Sequence, residues 1–300
     1  MSRIFSPGKL MLTSEYVAVD GALVLAVPTK LGQEFFFTET DDEKSLIYWN
    51  AYHQDQLWLK TVIDYKTWTI LEANDHKASE FILKVLKNVQ DLSDCKFKAN
   101  QSYQLKTNLQ FPPDFGLGSS STLMSNLGEW AEIDPFILNE ISLGGSGYDV
   151  AVAKEKSAIL YTRLPERAYE KVVFDPSFKD DLIFIHLNQK QDTREGISHY
   201  RSKPISTELI NEYSELTKLI VNCQTLEEFS QLMTIHEQKL SDFLGTPTVK
   251  EKYFQNCPSF VKSLGAWGGD FVLASKFGDY EAYFKKQGFS KIFNWQDLIN

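Results

Sequence analysis

The sequence predicts an α+β protein of two domains. Three observations carry that reading. Short segments rich in aromatic and β-branched residues alternate with longer stretches whose apolar residues recur at helical spacing. A glycine-serine loop, P-D-F-G-L-G-S-S-S-T from Pro113 to Thr122, stands between a strand pattern and a helix pattern. A proline-bearing charged stretch over 163–167 separates two such blocks, so the domains are expected at 1–165 and 166–300. Composition agrees: the 300 residues are 43% hydrophobic and 24% charged, ordinary for a globular chain.

In chain order, Pro7-Gly8 reads as a turn, 10–13 as a short strand and 22–27 as a buried strand. Strands follow over 33–38, 46–52 and 56–64. Over 77–92 the period changes, and Phe81, Ile82, Val85, Leu86 and Val89 fall on one helical stripe. A strand over 103–109 leads into the glycine-serine loop, and a helix over 122–131 leaves it. Asp134-Pro135 is a helix start for 136–143. The run G-G-S-G-Y-D then sets Asp149 at the head of an apolar segment, followed by a strand over 157–162. The second half reads as strands over 169–174 and 182–187, a polar loop over 188–196 in which Asp192 or Thr193 can cap a helix, and amphipathic helices over 207–221 and 226–244. A strand, glycine loop and strand over 261–275, a helix over 279–287 and an edge strand over 291–293 complete it. This half reads as helices laid on one face of a sheet.

The net charge of −9 argues against nucleic acid as a partner and leaves room for a phosphorylated small molecule, which needs only local cations. The three cysteines, Cys95, Cys223 and Cys257, are widely spaced and read as reduced, buried thiols. No apolar run approaches a membrane span and no signal region opens the chain, so the expectation is a cytoplasmic protein without a membrane partner. Its oligomeric state is not legible.

The glycine-serine loop has two readings. A helix N-terminus has unpaired N–H groups and the positive end of the helix dipole, which suit phosphate, and serine hydroxyls can hydrogen-bond phosphate or ligate Mg²⁺. The same residues also suit a serine-capped helix after a turn. Neither a Walker A loop nor a dinucleotide fingerprint is present. Lys9 and Glu15 are charged residues among apolar ones and read alone as exposed side chains. Asp149 reads alone as an N-cap, and His236 as a partly buried helix residue.

Taken together, the motifs resemble those of the GHMP kinase superfamily (galactokinase, homoserine kinase, mevalonate kinase and phosphomevalonate kinase). P-G-K-L-M-L-T-S-E-Y, from Pro7, is similar to that family's first motif. P-D-F-G-L-G-S-S-S-T resembles its phosphate loop, P-x-x-x-G-L-G-S-S-A-A. G-A-W-G-G-D-F, from Gly265, resembles its G-A-G-x-G-G loop. G-S-G-Y-D-V, from Gly145, looks like the G-S-G-F-D-V segment of phosphomevalonate kinases and the core of the GYDIA family, with Val150 in place of isoleucine.

The resemblance implies a two-domain fold, the N-terminal domain like ribosomal protein S5 domain 2 and the C-terminal one ferredoxin-like. It implies ATP-dependent phosphorylation of a small hydroxylated metabolite, mevalonate or phosphomevalonate first. A sugar or homoserine-type kinase and an inactive nucleotide-binding regulator are the alternatives. Gly116, Leu117, Gly118, Ser119, Ser120 and Ser121 would cradle the ATP phosphates, with Ser120 on Mg²⁺. Asp149 would accept or steer the acceptor hydroxyl proton, and Lys9 would stabilise the transferring group. Glu15, Ser146, Gly147, Tyr148, Gly268 and Gly269 would face the substrate, and Arg194 with Lys190 would offset its negative charge. Three departures stand out. Ser14 replaces a glycine, and Trp267 replaces a small residue. The family's Mg²⁺-ligating glutamate falls on Leu138, with Glu140 nearby but two residues out of register.

Overall fold

The computed structural model describes residues 1–98, 100–189 and 193–300. Contacts divide the chain into two compact units without a single cut. One comprises Met1–Gly8, Leu31–Pro113 and Leu117–Lys156, the other Lys9–Lys30, Asp114–Gly116 and Ser157–Asn300. The later unit thus takes in 9–30 and 114–116 as well as everything from Ser157 onward.

The larger sheet is built from β1 (Ser2–Met11), β2 (Val24–Thr40), β3 (Leu46–His53), β4 (Gln56–Asp64) and β5 (Thr69–Ala73). After helix α1 (His76–Leu92) comes β6 (Ser102–Leu109), then helices α2 (Ser119–Ala131), α3 (Pro135–Ser142) and α4 (Tyr148–Glu155), and finally β7 (Ile159–Thr162) and β8 (Ala168–Lys171). The strand order is β5-β4-β3-β6-β2-β7-β8, with β1 on β2. β3 and β6 pair in parallel, Ile47 opposite Tyr103. A parallel pair needs a long crossover, and β4, β5 and α1 supply it.

The stripe expected on α1 is the buried one: Ile82, Val85, Leu86 and Val89 face inward, and Asp75 caps the helix by accepting from the Ala78 N–H at 3.0 Å. They join a core that holds Phe35, Trp49, Tyr103, Leu127 and Trp130. Edge-to-face contacts fix its centre, with Tyr103 and Trp130 rings 5.8 Å apart at 86°.

The second sheet is antiparallel, built from β9 (Leu182–His186), β10 (Val261–Leu264), β11 (Phe271–Ser275) and β12 (Ile292–Asn294) in the order β10-β11-β9-β12. Between β9 and β10 lie α5 (Thr193–Arg201), α6 (Thr207–Asn222), α7 (Leu226–Leu244) and α8 (Val249–Tyr253), and α9 (Tyr280–Lys286) precedes β12. A short α10 (Trp295–Leu298) ends the chain's structure. Counted along the chain the order is 2-3-1-4, the ferredoxin-like arrangement.

Several sequence expectations are corrected. Pro7-Gly8 is no turn but the middle of β1, and the short strand over 10–13 is its end. β1 pairs only with β2, and proline is tolerated on such an edge because no N–H is needed there. The strands over 22–27 and 33–38 are one strand, β2, continuous through Pro28 and Gly32. β5 and α8 were not anticipated, and α5 begins inside the stretch read as a loop. Cys223 and Cys257 are buried as expected, but Cys95 is exposed, and all three thiols are free. Among the described residues no helix is long and apolar enough to cross a membrane.

Candidate active site

The strand β6 feeds the glycine-serine loop, and α2 starts at Ser119, three residues earlier than the sequence pattern indicates. Its N-cap is Gly118, at φ 84°, a left-handed conformation that glycine adopts without strain. No side chain caps the helix. The first helical bond runs from the Thr122 N–H to the Gly118 carbonyl at 3.0 Å, so the N–H groups of Ser119, Ser120 and Ser121 have no intrahelical acceptor. The serine-cap reading therefore fails, and the open, positive helix end is what remains.

The hydroxyls divide in two. Ser121 donates to the Gly118 carbonyl at 2.8 Å, and Thr122 donates to the Ser119 carbonyl at 2.9 Å and to Gln33 Oε1 at 3.2 Å. These lock the turn. Ser120 is exposed. Ser119 and Ser120 also line a cavity of about 140 Å³ whose walls include Trp49, Tyr52, Trp58 and Phe81. His53 stacks on Trp58, ring centroids 4.7 Å apart, and burial lowers its pKa.

Helix α4 is begun the same way, by Gly147 at φ 89° with no side-chain cap. Asp149 is its second residue, not the N-cap. It is half-buried, and its Oδ1 accepts from the Val150 N–H at 3.0 Å. The preceding turn is held from α3, where the Asn139 amide donates to the Gly144 carbonyl at 2.9 Å and accepts, through its own backbone carbonyl, from the Leu143 and Gly144 N–H groups. Ser146 and Tyr148 are half-buried there. α2 and α4 pack against each other.

No dedicated metal cage accompanies these elements: among the described residues no group of three or more His, Cys, Asp or Glu could hold an ion. Leu138 is fully buried in the core and Glu140 lies on the exposed side of α3. One hydroxyl at Ser120, few carboxylates and an open anion site fit a Mg²⁺ that arrives on nucleotide phosphates, since Mg²⁺ keeps most of its ligands as waters and phosphate oxygens.

In the second unit Lys9 Nζ donates to the Gly116 carbonyl at 3.0 Å. A Cβ on Gly116 would lie 2.8 Å from Asp270 Oδ1 and closer still to Oδ2, so that carboxylate would have to move, and the φ of 68° favours glycine besides. Lys9, Gly116 and Asp270 thus meet. Asp270 closes the 265–270 loop between β10 and β11. That loop is pinned by the Gly269 N–H to the Ala266 carbonyl at 3.2 Å, by Gln189 Nε2 to the Gly268 carbonyl at 2.6 Å, and by the Trp267 N–H to Tyr16 Oη at 2.9 Å. Arg194 is exposed on α5. Lys190 and Asp192 lie outside the described residues.

Glu15 does not present its carboxylate outward. It is fully buried, with Oε1 2.6 Å from Lys262 Nζ on β10. Lys262 also lies 3.6 Å from Glu237 Oε2 on α7, and Glu237 accepts from the Ser263 N–H and hydroxyl at 3.1 and 3.2 Å. His236, fully rather than partly buried, accepts from the Ser14 N–H through Nε2 at 2.7 Å, which leaves Nδ1 as the protonated nitrogen of the neutral ring. Burial pushes the Glu15 carboxyl up to about 7, against the opposing pull of Lys262, and burial also raises Glu237. Burial and the Lys262 charge hold His236 well below its ordinary range. Ser14 and Tyr16 on either side of Glu15 have φ of 65° and 62°. The serine that replaces a motif glycine thus keeps a conformation glycine favours.

No family model and no curated protein sequence matches the chain. Solved structures do. A mevalonate kinase from Methanococcus jannaschii, 16% identical, covers 98% of this chain and 97% of its own with a TM-score of 0.71. The phosphomevalonate kinase of Streptococcus pneumoniae, solved with phosphomevalonate and AMPPNP, is 16% identical over 99% and 97% with a TM-score of 0.69. The galactokinase of Lactococcus lactis, solved with galactose, is 15% identical over 95% and 88% with a TM-score of 0.68. All three are GHMP kinases.

The chain has the GHMP kinase fold.

Within that fold, the first unit brings Gly118, Ser119, Ser120 and Ser121 to one helix end and Asp149 to another. The second joins Lys9 to Gly116, and Gly268 and Gly269 to a loop held by Tyr16. Sequence reasoning missed Asp270 and Lys262. Their signals were an acid ending a glycine loop and a lysine inside an otherwise apolar strand, V-K-S-L.

The buried ion pair has a measurable consequence. Lys262→Met leaves two buried carboxylates without their cation, a loss expected to cost about 3–5 kcal/mol at neutral pH. A carboxyl raised above its ordinary 4.5 contributes stability that is fully present below that value and is lost as pH rises through the folded pKa. Lys262 lowers both carboxyls, so removing it raises them further. The deficit in chemical denaturation is therefore expected to be smallest near about pH 5 and largest near about pH 8. A pH-independent deficit below about 1 kcal/mol would mean the pair behaves as an exposed one.

Proposed function

We propose that this chain is an ATP-dependent kinase of a small hydroxylated metabolite, with mevalonate or phosphomevalonate as its preferred acceptor. The observation that carries the reading is the glycine-begun, uncapped N-terminus of α2, opening beside an aromatic-lined cavity in a GHMP kinase fold. The N–H groups of Ser119, Ser120 and Ser121 receive the triphosphate, and the cavity walled by Trp49, Tyr52, Trp58 and Phe81 receives the adenine, whose faces suit aromatic rings. Ser120 would supply a hydroxyl to Mg²⁺, which would neutralise charge on the phosphates when bound.

Phosphoryl transfer asks for positioning and charge compensation rather than covalent help. Lys9, held on the Gly116 carbonyl, is the cation of the loop. Asp149 has Oδ1 fixed by the Val150 N–H, which leaves Oδ2 for the acceptor hydroxyl proton. Gly268 and Gly269 are read as acceptor residues from their glycine-loop motif alone. Arg194, exposed on α5, is suited to a carboxylate or phosphate of the acceptor. The G-S-G-Y-D segment supports mevalonate or phosphomevalonate over a sugar. Glu15, buried on Lys262, has no part in substrate contact in this reading; it positions the first motif.

ADP release measured across mevalonate, phosphomevalonate, homoserine and free sugars tests the acceptor. Turnover on one of the first two is expected, and turnover confined to a sugar overturns the assignment. On the preferred acceptor, Asp149→Asn is expected to lower turnover by about 10²–10⁴-fold with nucleotide affinity unchanged. A variant that keeps its turnover makes Asp149 a structural residue. Arg194→Ala is expected to raise the acceptor KM and leave the ATP KM as it was.

A further inference from the structure

The cavity beside the start of α2 lies wholly within the first unit, and one face of the larger sheet forms its floor. Strand register sets His53, Leu109 and Gln33 side by side on β3, β6 and β2, with Ala51 and Thr107 two residues along. All five line the cavity. Neighbouring strands are about 4.8 Å apart, so the row from His53 to Gln33 spans about 9–10 Å.

The two ends of that row differ. At the His53 end β4 carries an extra residue: Leu59 pairs with Ala51 and Leu57 with Tyr52, so Trp58 between them has no partner across the ladder. A bulge of this kind re-aims a side chain. Here the Trp58 ring stacks on His53 and stays 39% exposed. At the other end Gln33 is only 7% exposed and is held from α2 at two points. Its Oε1 accepts from the Thr122 hydroxyl at 3.2 Å, and its backbone carbonyl accepts from the Asn126 amide at 3.0 Å. Gln33 Nε2 donates to no group among the described residues, and it is not sealed from solvent. A fixed and unused donor therefore stands at the end of the cavity that Ser119 and Ser120 share. A polar group so deeply buried costs free energy until it is hydrogen-bonded.

From this juxtaposition we infer that Gln33 binds the ribose of the nucleotide, an inference that rests on the kinase reading above. A base needs flat aromatic surface, which the Trp58 and His53 end supplies. Phosphates need N–H groups, which Ser119, Ser120 and Ser121 supply. The sugar joins base to phosphate, and the row leaves it between Leu109 and Gln33. An uncharged amide N–H suits the oxygen of a sugar hydroxyl. Because Thr122 and Asn126 already hold Gln33, little side-chain freedom is lost when the ligand arrives.

The test is calorimetry with ATP, with 2′,3′-dideoxy-ATP and with inorganic tripolyphosphate, each with Mg²⁺ and no acceptor. The unchanged chain is expected to bind ATP about three- to tenfold tighter than the dideoxy form, the range of a net hydrogen bond. In Gln33→Met and Gln33→Leu, which keep an apolar side chain of similar bulk, that preference is expected to fall below about twofold. Tripolyphosphate should bind both variants as it binds the unchanged chain. The preference is a ratio within one variant, so a general loss of stability cancels from it. An undiminished preference in both variants overturns the inference and leaves the kinase reading standing. So does an unchanged chain that binds the two nucleotides equally. Loss of tripolyphosphate affinity in both variants also overturns it, since Gln33 then acts by holding α2. An unchanged chain that binds no nucleotide overturns the kinase reading and this inference with it.

Discussion

A helix end that is to hold a ligand must leave its N–H groups open and still be rigid. In α2 those two demands are met by different residues. Gly118 takes the capping position and contributes no side-chain acceptor, so three N–H groups and the positive end of the dipole stay available. Rigidity comes from polar side chains that look out of place in a helix. Thr122 and Asn126 are fully buried, and both reach Gln33 on β2: Thr122 through the side-chain oxygen at 3.2 Å and Asn126 through the backbone carbonyl at 3.0 Å. Buried polar groups that are hydrogen-bonded in this way fix one arrangement. The start of α2 is thereby tied to β2, and Gln33 of that strand also lines the cavity beside Ser119 and Ser120.

The second unit meets a comparable demand with charge. Glu15, Lys262 and Glu237 are almost wholly removed from water, and desolvating them costs several kcal/mol per ion before their attraction offsets it. Such a cluster is weak evidence for stability, and its value lies in geometry. Ser14 and Tyr16 both hold left-handed backbone, which for residues with a Cβ requires the surroundings to over-determine it. The Ser14 N–H on His236, the Glu15 carboxylate on Lys262 and Tyr16 Oη accepting from Trp267 supply that constraint on three successive residues. The same few residues thus fix the first motif and the glycine loop that ends in Asp270.

What was legible in the sequence is what local pattern determines. The α1 stripe, the helices α6 and α7 and the strand-loop-helix unit around Gly118 all carry their own periodicity and punctuation. Pro7-Gly8, Pro28 and Gly32 misled because strand pairing, a long-range effect, overrode local turn signals. Lys9 was weighed as an exposed side chain and Glu15 likewise, yet both are held by residues more than 100 positions away, Gly116 and Lys262. The approach of Asp270 to Gly116 was not legible in the sequence either. Its carboxylate reaches Gly116 only because β9, β10 and β11 bring the 265–270 loop back to it.

The central claim is that the start of α2 is a triphosphate site. A crystal structure of the chain with a non-hydrolysable ATP analogue and Mg²⁺ tests it most directly. The expected result is phosphate density within hydrogen-bond distance of the N–H groups of Ser119, Ser120 and Ser121, with the base in the cavity beside Trp58. An analogue bound elsewhere on the chain, leaving that helix end to water, would contradict the account.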